Sequence, residues 1–142
     1  MDTFYEPLLQ METFAQIEEA LKKDEGLTLV TGCVDSQKTH LMYGLGREWP
    51  VKLILTYSEL KAKEIFEEYQ SLNEDVFYYP PKDFLFFHAD IQGNELLRQR
   101  VSAVSSLLSG EKSVIITTLD GCMDPLLPLK KWRELMVTIG GG

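Results

Sequence analysis

Three residues in the stretch TLVTGCVDSQKTHLM could do phosphate chemistry. Gly32, Lys38 and Thr39 stand at the spacing of the loop pattern G-x-x-x-x-G-K-[ST], just after the β-branched, apolar run LTLVT. In such a loop, backbone N–H groups and a helix N-terminus surround the phosphates. The lysine neutralises them, and the Ser/Thr hydroxyl holds magnesium. Two neighbours oppose this use. Gln37 occupies the place of the second glycine, where a side chain crowds the phosphate. Asp35 sets a carboxylate inside an anion cradle. Asp35 or Ser36 can instead cap the following helix and take the same N–H donors. The expectation is a vestigial phosphate loop at Gly32, Lys38 and Thr39, with no cofactor. ATP with magnesium belongs to the alternative reading, a small P-loop nucleotide-binding protein or ATPase with a variant loop. A plain strand-to-helix turn with a cap would also fit these residues.

Hydrolysis needs a further acid, paired as Asp-Glu at the end of a later apolar strand. IITTLDGCMD offers Asp120 and Asp124, which lack that pairing and read as turn or cap residues. No catalytic residue is assigned.

Positioning such a loop requires a sheet. After a helix expected at residues 8–23, the apolar runs LTLVT, VKLILTY, VFYY and SVIITT follow, and helical periodicity separates the last three. In SELKAKEIFEEYQSLN, Ser58 caps a stripe of Ala62, Ile65, Phe66, Tyr69 and Leu72. In GNELLRQRVSAVSSLLSG, Leu97, Val101, Val104 and Leu108 form another, closed by Gly110. This alternation predicts an α/β fold, a parallel sheet with helices on both faces. ELMVTI near the end is read as a further strand. The division expected is a helical segment at 1–26, a main lobe at 27–139 and a flexible tail or truncation point at 140–142.

The 142 residues carry a formal charge of −8, with 44% apolar and 25% charged residues, a composition for a soluble globular domain. The acidic balance argues against DNA binding by this lobe alone and favours protein partners. No membrane span or secretion signal is read, and the expected location is cytoplasmic. Cys33 and Cys122 read as free thiols, and His40 and His88 lack metal-ligand spacing. The long connection YYPPKDFLFFHADIQGN is set apart by its aromatics, Phe84, Phe86 and Phe87, read as core and rim rather than as a stacking surface. Arg100 is expected to pin this loop through Asp83 or Asp90. Trp132 is either an interface anchor or the cover of the last strand.

In order, these segments resemble the N-terminal, UvrB-like lobe of bacterial transcription-repair coupling factors. The resemblance runs through TGCVDSQKTH, VKLILTYSELKAKEIFEEYQSL, VFYYPPKDFLFF, NELLRQRVSAVSSLL and SVIITTLDGCMDPLLP. It implies a RecA-like, helicase-type lobe with a degenerate phosphate loop, acting as a non-catalytic scaffold in transcription-coupled repair. It also implies that the ATP-dependent DNA translocase motor lies elsewhere in the full-length protein. The partners implied are UvrA, RNA polymerase and the protein's own other domains.

Overall fold

The computed structural model describes residues 2–23, 26–72, 75–82, 91–126 and 128–140. Its centre is a three-stranded parallel sheet of β1 (Val51–Thr56), β2 (Val76–Tyr79) and β3 (Ser113–Thr118), in the order β1-β3-β2. Helix α4 (Glu59–Gln70) carries the chain from β1 to β2 across one face, and α5 (Ile91–Ser109) returns it to β3. The long connection between β2 and α5 lies mostly outside the described residues, and with it Asp83, Phe84, Phe86, Phe87, His88 and Asp90.

Side-chain alternation assigns the two faces. Ile54, Val76, Tyr78, Val114 and Ile116 meet Ala62, Ile65 and Tyr69 of α4, together with Tyr43. On the opposite face Tyr79 and Ile115 meet Ala103 and Val104 of α5 and the buried Trp132. Trp132 belongs to α7 (Leu129–Gly140), which packs on α5, so this tryptophan closes the second layer. The short α6 (Leu119–Met123) follows β3 directly, with the Thr118 hydroxyl accepting from Gly121 N at 3.1 Å.

Three sequence expectations need correction. LTLVT is not a strand: residues 27–31 join no ladder, and Leu27 and Leu29 are 97% and 83% exposed. β propensity is a surface-packing preference, and among the described residues this run has no ladder partner. ELMVTI lies within α7, where Trp132 anchors a helical face. The helix expected at 8–23 breaks at Gln10–Met11 into α1 (Glu6–Leu9) and α2 (Glu12–Lys22). The break lets Leu8 and Phe14 close on α3 (Asp35–Gly44). A Cβ on Gly44 would lie 2.3 Å from Leu8 Cδ1 and 3.1 Å from the Phe14 ring, so the contact requires glycine.

Two cations, Arg100 buried and Lys52 half-buried, hold the layers. Arg100, 2% exposed, donates to the Pro80 carbonyl and the Tyr79 hydroxyl, both at 2.6 Å. It also pairs with Asp124 at 3.4 Å, and Asp124 in turn accepts from the backbone N–H of Lys82. The guanidinium thus pins the start of the long connection to the end of α6. Lys52 Nζ donates to the carbonyls of Met42 (2.6 Å) and Tyr43 (3.2 Å) and to the Tyr69 hydroxyl (3.1 Å), satisfying orphan groups at the end of α3.

Arg100→Ala, which leaves a carboxylate and a buried carbonyl without their cation, should cost about 3 kcal/mol in denaturant unfolding. Leu29→Ser, by contrast, should change stability by less than about 0.5 kcal/mol. Burial, then the charges of Lys112 and Arg47, push Lys52 down from 10.5 to about 8, with Glu18 opposing weakly. Between those values the unfolded chain holds a proton that the folded chain has released, so folding is favoured as pH rises. Stability should climb across this window, and Lys52→Gln should lack the climb.

Candidate functional site

The loop runs from Thr31 into α3, and Gly32 supplies its left-handed residue at φ +85°. Val34 is the N-cap, with extended backbone at φ −77°, ψ 163° and no side-chain acceptor to offer. Gln37 compensates: its side-chain oxygen accepts from Val34 N–H at 3.3 Å, the returning half of a capping box. The expected cap by Asp35 or Ser36 is therefore replaced by Gln37, the residue standing at the glycine position of the phosphate pattern.

Asp35 does something else. Lys38 Nζ lies 3.1 Å from one of its oxygens and Lys61 Nζ, from α4, 3.2 Å from the other. Hydrogen bonds from Lys38 and then Lys61 hold the Asp35 carboxyl below its ordinary range. Lys61 is shared further with Glu64 at 3.2 Å. The cluster is exposed, so its contribution to stability is small. Its effect is on availability, because the lysine that would meet a phosphate is already bound to an acid of its own loop.

Thr39 is turned away as well. It is 4% exposed, and its hydroxyl donates to Glu68 on α4 at 2.6 Å. The structure thus brings Lys38 and Asp35 together, while Thr39 serves the α3–α4 contact. Lys61 and Glu68 were missed in the sequence, since their helical spacing on α4 gives no sign of partners 26 and 29 residues away.

Ligands of open parallel sheets bind beyond the carboxyl ends of the strands. Here that end is occupied by an internal lock. Glu59, first in α4, accepts from the Thr118 hydroxyl at 2.5 Å and from the Tyr78 hydroxyl, joining the ends of β1, β2 and β3. Burial, then Glu59, push the Tyr78 phenol up. Asp120 is exposed in the first turn of α6, and Asp124 is held by Arg100 and Lys82. Arg100 therefore pairs with Asp124, while Asp83 and Asp90, its expected partners, lie outside the described residues. Among the described residues no three His, Cys, Asp or Glu side chains are grouped to hold a metal, and no helix is long and apolar enough to cross a membrane.

A three-stranded parallel sheet with helices on both faces, entered by a glycine-lysine-threonine loop, is consistent with part of a P-loop, RecA-like domain. The chain is similar to transcription-repair-coupling factors. It is 26% identical over 132 residues to that of Staphylococcus epidermidis, covering 91% of this chain and 11% of the relative. The Staphylococcus aureus protein is 25% identical over 118 residues, covering 81% of this chain and 10% of the relative. The chain therefore spans about a tenth of the length of these curated relatives. No family model and no solved structure matches it.

Thr39→Val should cost about 1 kcal/mol, the worth of one part-buried hydrogen bond. The loss should be the same with and without magnesium, which a pair of thermal melts would check.

Proposed function

We propose that the chain is a non-catalytic, UvrB-like scaffold lobe of a transcription-repair coupling factor, working through protein contacts. The observation that carries this reading is the ion pair of Lys38 with Asp35, in a chain similar to coupling factors over most of its length. A nucleotide's phosphates would have to displace that carboxylate and the Lys61 contact before using the lysine. The buried Thr39 hydroxyl would likewise have to leave Glu68 before meeting a metal.

In this reading Gly32, Lys38 and Thr39 are the remains of a phosphate loop, and the lobe needs no cofactor. The resemblance supplies the setting: the full-length protein removes stalled RNA polymerase in the cytoplasm, recruits UvrA and carries its ATP-driven DNA translocase elsewhere. This lobe then packs against neighbouring domains and binds DNA weakly or not at all, as suits a charge of −8.

Mg-ATP should leave the melting temperature of the chain unchanged, and no phosphate should be released. A nucleotide at 100 times its dissociation constant would add about 2.7 kcal/mol. ATP hydrolysis that disappears in Lys38→Ala would replace this reading with the variant P-loop enzyme.

A further inference from the structure

A second group of cations sits at the opposite end of the sheet from the phosphate-type loop. The amino ends of β1 and β3 and the C-terminal ends of α3 and α4 enclose a cavity of about 230 Å3. Lys52, Arg47 and Lys112 line it, against one lining carboxylate, Asp75, among the described residues. Convergence of three cations on one cavity is unexpected in a chain with 22 acidic and 14 basic residues.

Helix chemistry accounts for only part of this. The carbonyls of Met42 and Tyr43 explain why an ammonium lies at the end of α3. They do not explain why Lys112 and Arg47 approach the same space. The half-buried Lys52 ammonium donates to three neutral oxygens, so its positive charge is not cancelled by a hydrogen-bonded carboxylate. Arg47 is partly committed, to Asp2 at 2.9 Å and to the face of Tyr5. Burial is the first cause of the downward push on Lys52, and the charges of Lys112 and Arg47 add to it.

We propose that this cavity is a binding site for a small phosphate-bearing anion, with Lys112 donating to it and the charges of Lys52 and Arg47 attracting it. The rings of Tyr43, Tyr69 and Trp49 complete the walls, and the volume admits a phosphate group with a small substituent. The site is separate from Lys38 and does not depend on the scaffold reading.

Isothermal titration of inorganic phosphate into the whole chain at constant ionic strength tests it. The wild type should give saturable, one-to-one binding. Lys112 is exposed and outside the core, so Lys112→Gln should fold normally and bind about tenfold more weakly, the loss of one charge-assisted hydrogen bond. Lys63→Gln, an exposed lysine of α4 outside the cavity, should bind as the wild type does. Absence of saturable binding would overturn the proposal. So would equal weakening in both variants, which marks diffuse attraction to surface charge.

Discussion

The structure depends on the double burial of β3. All six side chains from Ser113 to Thr118 are buried, because α4 and Tyr43 lie over one face and α5 with Trp132 over the other. A strand covered on both faces must be apolar or internally satisfied at every position. Its polar members meet that condition: Thr117 donates to the Tyr79 carbonyl at 2.7 Å, Thr118 to Glu59, and Ser113 pairs with Ser106. Because its neighbours run parallel on either side, the two crossover helices have to lie on opposite faces. The layer order of the lobe follows from this one strand.

The electrostatics are organised around keeping cations occupied at home. Lys38 and Lys61 share Asp35, Arg100 joins β2 to α6 through Asp124, and Lys52 closes α3. The attachments of Lys38 and Lys61 to Asp35 remove both lysines from the pool that could serve a nucleotide at the loop. The phosphate-type loop therefore has the residue types of a binding site and the wiring of a helix cap.

Much of the fold was legible in the residues. The three paired strands, the stripe on α4 and the long α5 ending at Gly110 all follow from apolar periodicity, which registers burial directly. The failures share a cause. LTLVT and ELMVTI are β-branched or apolar enough for strands, yet a strand needs a ladder partner, which local composition does not encode. At the loop, the conflict between Lys38 and Asp35 was readable from their spacing. The reach of Gln37 back to Val34 was not, because valine at the N-cap lacks the Ser or Thr that marks a capping box. The reach of Lys61 and Glu68 across from α4 was not, because those contacts exist only once the helices have packed. For Arg100 a pinning role was readable, but its acidic partner was not.

The first strand of the sheet has an unusual aspect. Val51, Leu53 and Leu55 share the face toward α5, yet they are 44%, 53% and 51% exposed, since α5 and α7 cover only β2 and β3. The outer side of the same strand has no ladder neighbour among the described residues. Bare main-chain groups beside uncovered aliphatic side chains form a template on which another extended segment can be laid down. In concentrated solution this margin is where molecules of the lobe would begin to stick together, and charged or proline substitutions along it are the remedy for poor solubility.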